Sequence, residues 1–211
     1  MTKDEFIDAL KELNIFLLEE QLLQLDKFYK LLIEWNEKIN LTRITEEKEV
    51  YLKHFYDSLT ISKVIDLTKV ETLCDVGTGA GFPGIVLKIV YPNLKITLID
   101  SLLKRVNYLN SIINELNLEN IKAIHLRGED CKEKFDVVTA RAVANIEKLT
   151  KFTMHLVKKN GKFVAMKGNI TEELNPLVVT KLTKKYNIEK IENFLLPLEQ
   201  SNRSLIVMTN K

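Results

Sequence analysis

The period of the hydrophobic pattern changes once, near Val70, and this change limits what the chain can fold into more than any other feature. After it, apolar runs rich in β-branched residues at 70–76, 95–100, 121–126, 135–140 and 162–167 alternate with helical patterns at about 82–91, 102–117 and 146–158. Strands separated by helices of that length need crossover connections, so they lie parallel, with helices on both faces of the sheet. A further helical stretch near 170–186 precedes apolar runs at 188–194 and 203–209. The short link through Pro197 suggests that these last two strands pair antiparallel. The expectation is a Rossmann-like α/β sheet of seven strands, mostly parallel, with an antiparallel last strand.

The chain before Val70 reads as helix. Thr2 and Glu5 form a capping-box pattern, and Phe6, Ile7, Leu10, Leu13 and Leu17 recur at helical spacing. A second helix is expected over about 20–37, with Leu22, Leu25, Phe28, Leu32 and Trp35 on one stripe, and two helices this close should pair antiparallel. A third helical stretch runs from about 46 through His54, Phe55, Asp57, Ser58 and Leu59 to about 64. Residues 1–66 thus form a helical N-terminal cap on a domain spanning 67–211. At 211 residues the chain is long enough for one full core plus such an extension, given roughly 150 residues per domain. Trp35 is expected in the core, Asn36 and Asn40 at a cap or turn, and His54 as a hydrogen-bonded brace between cap and sheet.

Composition narrows the setting. Charged residues make up 28% and hydrophobic ones 45%, an ordinary water-facing balance. No apolar run approaches the roughly 20 residues that a membrane span needs. The first residues lack the apolar core of a signal peptide, so a cytoplasmic protein is expected, acting as a monomer and away from membranes. Cys74 and Cys131 are far apart and without CxxC spacing, which suits buried thiols in a reducing compartment. The three histidines and two cysteines show no metal-ligand spacing, and no metal is expected. Residues 1–66 carry 9 Lys and Arg against 14 Asp and Glu, while residues 67–211 carry 22 against 15. The basic surplus lies with the sheet and is compatible with a polyanionic substrate.

The stretch 72–84 turns an apolar strand into a glycine-rich loop and then a helix. Gly77, Gly79 and Gly81 lack the Cβ atoms that would hold a ligand off the backbone, and the N–H groups of such a loop point at whatever docks there. The glycines at 79, 81 and 84 also satisfy G-x-G-x-x-G, so a nicotinamide-dependent oxidoreductase remains an alternative. Asp75 shifts the balance, because a carboxylate would repel a pyrophosphate but could hold the cationic amino-acid end of S-adenosylmethionine. The pattern resembles the first motif of class I methyltransferases, which use that cofactor. Asp100 ends the second strand 23 positions after Gly77 and suits a carboxylate accepting both ribose hydroxyls. Gly128 and Glu129 follow the third strand, placed to receive the adenine amino group.

Strand four ends at Thr139, Ala140, Arg141 and Ala142, where methyltransferases of this class usually face the methyl acceptor. The run of Asn or Asp, Pro, Pro and aromatic typical of enzymes that methylate exocyclic amines is absent. Neither cysteine lies at the end of strand four or five to attack a cytosine ring. Guanine N7 asks for neither a base nor a nucleophile, since it presents a lone pair with no proton to remove. Arg141 and Lys167, at the ends of strands four and five, could pair with phosphate or with guanine O6. Lys104 and Arg105 open the helix after strand two and fit a solvated face.

These residues together resemble the RsmG (GidB) family, bacterial methyltransferases acting on guanine N7 in the decoding-region loop of 16S ribosomal RNA. The match covers nearly the whole chain: Trp35, Asn36, Asn40, Leu41, Thr42, His54, Phe55, Asp57, Ser58 and Leu59 in the cap, then 75–84, Asp100, Ser101, Lys104, Arg105, 139–142, Lys167 and Gly168. The cap motifs are its specific part. The resemblance implies S-adenosylmethionine as cofactor and 16S ribosomal RNA, or the small subunit containing it, as partner. It implies that Gly77, Phe82, Gly128, Glu129 and Arg141 contact the cofactor or border its pocket. Arg141 is then the candidate catalytic residue, and Lys167 and Arg203 the candidates for RNA. The chain departs from the family pattern at Ser204, where a histidine is frequent. A non-catalytic ribosome-assembly factor that keeps the pocket is a further alternative.

Overall fold

The computed structural model describes residues 1–211. Helix α1 (Lys3–Lys11) opens on the expected capping box: Glu5 N donates to Thr2 Oγ1 at 3.3 Å, and Thr2 N donates to Glu5 Oε2 at 2.6 Å. Helix α2 (Glu19–Ile39) buries Leu25, Phe28 and Leu32, and ends at Asn40, whose φ of 50° is the left-handed stop of a helix. The two helices do not form the antiparallel pair expected of them. Helix α1 lays Phe6 edge-on against Tyr51 at 5.2 Å, and an ion pair from Lys3 to Asp26 at 2.7 Å links it to α2. Helix α2 instead covers α5 (Gly84–Val90) and α6 (Leu103–Glu115). The reason lies in α5, which is buried all round and needs an outer layer. Gln21 completes the cover by donating to the Ile89 and Val90 carbonyls at the end of α5.

The third helical stretch is one run with changing pitch: α3 (Glu47–Val50), a π-helical turn (Tyr51–Tyr56), α4 (Asp57–Leu59) and a 3₁₀ turn (Thr60–Lys63). His54 lies in the π-helical turn and Asp57 directly follows it, three residues on and on the same helical face.

The sheet has the order β3-β2-β1-β4-β5-β7-β6, built from β1 (Thr72–Val76), β2 (Lys95–Asp100), β3 (Ile121–His125), β4 (Phe135–Arg141), β5 (Val157–Lys167), β6 (Tyr186–Leu195) and β7 (Asn202–Asn210). The first five strands pair parallel, and β7 runs antiparallel between β5 and β6. Strand order reverses between β1 and β4, which opens a crevice at their carboxyl ends.

Three elements differ in extent from the sequence reading. Helix α7 (Ile146–Thr153) gives way to a tight turn at Met154, so β5 begins at Val157, ahead of the expected 162; its first residues detour through Asn160 at φ 67°. Helix α8 (Pro176–Thr183) starts six residues later than expected, because Asn175 accepts from the N–H groups of Leu177 and Val178 and Pro176 fixes the first helical φ.

Two apolar layers sandwich the sheet. The larger holds 39 buried residues and runs without a break from Met1 through Phe28, Phe55 and Phe82 to Val207. The smaller holds 18, among them Cys74 and Cys131, which are free thiols. Cap and sheet therefore share a core.

Candidate active site

The glycine loop leaves β1 at the reversal point. The N–H groups of Gly77 and Thr78 donate to the Ile99 carbonyl, which ties the loop to β2. Gly77 and Gly79 take φ values of +70° and +59°, a region that other residues enter only with strain. An added Cβ at Gly79 would meet only the Gly77 carbonyl, at 4.0 Å, so a ligand can approach the backbone there. Gly81, at φ +93°, faces the other way: a Cβ would strike Ile85 Cγ1 at 2.6 Å and Leu109 Cδ2 at 3.2 Å. It serves the packing of α5 and α6, not the ligand face expected of it.

Asp75 is likewise moved from the expected position. Its carboxyl is wholly buried beneath the loop, where Oδ2 accepts from Thr78 Oγ1 at 2.7 Å and from Gly84 N at 2.9 Å. Its Oδ1 has no partner. Burial pushes this carboxyl up to about 6, against the pull of those two hydrogen bonds. Asp75 lines neither of the two cavities at the loop, and its hydrogen bonds brace the loop from below. The cause is strand parity, which turns its side chain inward toward α5.

Two cavities meet at Gly77. The smaller, about 190 Å³, is lined by Val76, Ile99, Asp100, Leu126, Gly128, Glu129, Val143 and Phe152 among others. Asp100 Oδ2 accepts from Gly79 N at 3.0 Å and from Arg105 Nη1 at 3.4 Å, while Oδ1 accepts from Leu102 N at 2.9 Å and keeps a further lone pair. Gly128 allows close approach: a Cβ there would lie 2.9 Å from the Phe152 carbonyl oxygen. The larger cavity, about 690 Å³, is lined by the loop residues Gly77 to Ala80 and by Phe82, His54, Asp57, Arg105, Arg141, Lys167 and Arg203, with segments of the cap.

The cations of the larger cavity are anchored. Arg141 Nη1 donates to Asp57 Oδ2 at 3.1 Å and to the Lys53 carbonyl at 3.0 Å, while Arg203 Nε donates to Asp57 Oδ1 at 2.9 Å. Asp57 thus bridges β4 and β7 to the cap. Lys167 pairs with Glu173 at 2.8 Å and donates to the Ala144 carbonyl. Glu173 also accepts from Ile146 N at the start of α7. Phe82 stacks on His54 at 4.3 Å with 15° between planes, and the Arg141 guanidinium lies 5.1 Å from the Phe82 ring centre. Ser204, at the position where the chain departs from the family pattern, donates to Asn193 Oδ1 at 2.7 Å.

The site therefore gathers Gly77, Gly79, Phe82, Arg141, Lys167 and Arg203 around one cavity and Gly77, Asp100, Gly128 and Glu129 around the other. Sequence reasoning named Asp57 only within a motif, and it missed Glu173, Val143 and Phe152 altogether. Asp57 sits 84 residues from Arg141, and no spacing rule links them.

A profile of the family described as rRNA small subunit methyltransferase G (GidB) matches residues 21–206. The chain belongs to this family. Ribosomal RNA small subunit methyltransferase G of Bacillus subtilis (strain 168) is 47% identical over 215 residues, covering 99% of this chain and 90% of its own length. That of Macrococcus caseolyticus (strain JCSC5402) is 53% identical over 173 residues, 80% of this chain and 73% of its own. Among solved structures, a SAM dependent methyltransferase from Aquifex aeolicus superposes with a TM-score of 0.57 at 19% identity, covering 83% of this chain and 97% of its own. A mutant of MtNAS in complex with S-adenosylmethionine reaches 0.61 at 14% identity, over 90% of this chain and 76% of its own. These two share the fold. Membership makes this chain an S-adenosylmethionine-dependent methyltransferase, and the nicotinamide-dependent alternative falls.

The residues present fit that cofactor. Its elongated shape matches two cavities that share Gly77 in their linings, and the smaller cavity offers Asp100 and Glu129 to hydroxyl and amino groups.

Proposed function

We propose that this methyltransferase modifies N7 of a guanine in 16S ribosomal RNA, with adenosine held in the smaller cavity and the acceptor base entering the larger. Asp100 would take the ribose, Glu129 with Gly128 the adenine, and the Gly77 and Gly79 backbone the methionine end. Ribosomal RNA as substrate makes the cytoplasm the place of work.

One observation carries the choice of acceptor: every titratable group that could remove a proton in the larger cavity is already committed. Asp57 is shared by two arginines, and Glu173 is paired with Lys167 and with a backbone N–H. Both nitrogens of His54 are hydrogen-bonded, to Thr42 and to Arg141. An acceptor that must lose a proton finds no free base here. Guanine N7 brings its own lone pair.

When bound, S-adenosylmethionine supplies a methyl carbon made electrophilic by its sulfonium. The chain's own residues orient the base against it. Arg141 has N–H groups left for guanine O6, and a contact to O6 alone leaves the N7 lone pair free. A bidentate grip on O6 and N7, the usual way an arginine reads guanine, would block the reacting atom. Lys167 and Arg203 line the same cavity and present partial positive charge to the RNA, although each also holds the fold together.

The test is transfer of labelled methyl from S-adenosylmethionine into small subunits lacking N7 methylation, followed by strand cleavage at 7-methylguanine. One labelled guanine in the 16S RNA is expected. No incorporation while S-adenosylhomocysteine still binds would favour the non-catalytic assembly factor.

A further inference from the structure

We propose that His54 is a positioning residue for methyl transfer: a neutral imidazole, fixed by Thr42 in its Nε2–H tautomer, that holds one N–H of Arg141 and so sets which donors remain for the acceptor base. The proposal rests on the reading of the site given above and adds a residue that does not itself touch the base.

The tautomer follows from donor and acceptor chemistry. Arg141 Nη2 lies 3.2 Å from His54 Nδ1, and a guanidinium can only donate. Nδ1 must therefore be unprotonated, which leaves the ring proton on Nε2, facing Thr42 Oγ1 at 2.9 Å. Thr42 is itself fixed. Its Oγ1 accepts from Ile44 N at 3.1 Å, and Asn36 Oδ1 accepts from the N–H groups of Leu41 and Thr42 at 2.7 and 2.8 Å. A chain of hydrogen bonds thus runs from the end of α2 through the 40–45 turn to the end of β4. Phe82, stacked on the imidazole, fixes the plane in which this relay lies.

The charge environment maintains the neutral form. Burial first, and then the positive charge of Arg141, lower the His54 pKa to about 3, against the opposing pull of the Lys53 backbone. No carboxylate is hydrogen-bonded to the ring, and Asp57, the nearest acid in the network, is held by Arg141 and Arg203. An imidazolium would set an N–H against the guanidinium and break the contact.

The consequence is an inventory of donors. Of the five N–H groups of Arg141, two on Nη1 go to Lys53 and Asp57 and one on Nη2 goes to His54. The Nε–H and the second Nη2–H remain. A guanidinium without His54 would be free to pivot about its Nη1 anchor, and could then cover N7 as well as O6.

A double-mutant cycle tests this. His54→Phe keeps the stacked ring and removes both hydrogen bonds; it should slow single-turnover methyl transfer by roughly 10- to 100-fold, with S-adenosylhomocysteine affinity within about threefold. His54→Gln can still accept from Arg141 and donate to Thr42, and should recover to within about fivefold of the wild type. In an Arg141→Lys background, His54→Phe should change the rate less than about twofold. Equal losses in both backgrounds, or no advantage of Gln over Phe, would overturn the proposal. Nitrogen-15 NMR of the wild-type histidine provides a readout independent of activity: a single Nε2–H tautomer from about pH 5.5 to 8 is expected, and an imidazolium in that range would overturn it. If wild-type enzyme fails to methylate the RNA, the functional reading falls while the NMR result still decides the state of His54.

Discussion

Asp75 shows what a single residue's environment does to its role. Its type and its place at the end of a strand suggested a ligand contact, but which way a strand residue points depends on register with β2 and β4, and the sequence alone does not fix that. In the fold it is a buried carboxyl with one unpartnered oxygen, raised to about 6 by desolvation. The folded state then binds this proton more tightly than the unfolded state, so the Asp75 contribution to stability is full below about pH 4 and is lost as pH rises through 6. The loss is on the order of 3 kcal/mol. Asp75→Asn keeps an acceptor for Thr78 and Gly84 and cannot ionise. Calorimetry should show its Tm roughly 6–12 °C above wild type at pH 8, a gap that closes as pH falls below about 4; a lower Tm at pH 8 would refute the assignment. The place of Asp100 at the smaller cavity was legible, because a carboxylate ending the second strand about 20 residues after the loop falls at the carboxyl edge of the sheet. Asp100→Ala should weaken S-adenosylhomocysteine binding at least tenfold, about 1.4 kcal/mol, by isothermal titration, while the protein stays folded.

At the scale of elements, the periodicities of 3.6 and 2 placed each helix and strand, since they record which face is buried. They could not report the π-helical pitch at Tyr51–Tyr56, which adds one residue to a turn and leaves the apolar pattern almost unchanged. His54, within that turn, and Asp57, directly after it, both meet Arg141. The partners of α1 and α2 were misread for a related reason. Amphipathicity says that a face is buried, not what buries it, and α5, buried on every side, had the stronger claim on α2. Asp57 joins the 51–59 helix to β4 and β7 through two ion pairs, with side chains mostly shielded from water. Asp57→Ala leaves two arginines without their shared counter-ion and should cost about 3 kcal/mol. A drop in Tm of roughly 6–12 °C measures it. A change under 2 °C, about half a kcal/mol, would mean that the bridge is not a structural joint.

At the scale of the whole molecule, a change of hydrophobic period near Val70 divides the sequence into cap and sheet, yet the packing does not divide there. Sixteen of the 39 residues in the larger core layer come from 1–66. The fragment 67–211, expressed alone, should therefore lack a cooperative thermal transition, and a sharp one would show that the cap is a separable addition. Four residues of the cap motifs, Leu41, Thr42, His54 and Asp57, line the larger cavity, where we propose that the acceptor enters. In the proposed reaction this cavity positions a lone-pair acceptor and removes no proton. The most direct test is the pH dependence of single-turnover methyl transfer to small-subunit RNA at saturating cofactor. Between about pH 7 and 9 the rate should stay flat, because no general base titrates there. A rate that climbs tenfold per pH unit, or a bell-shaped profile, would contradict it.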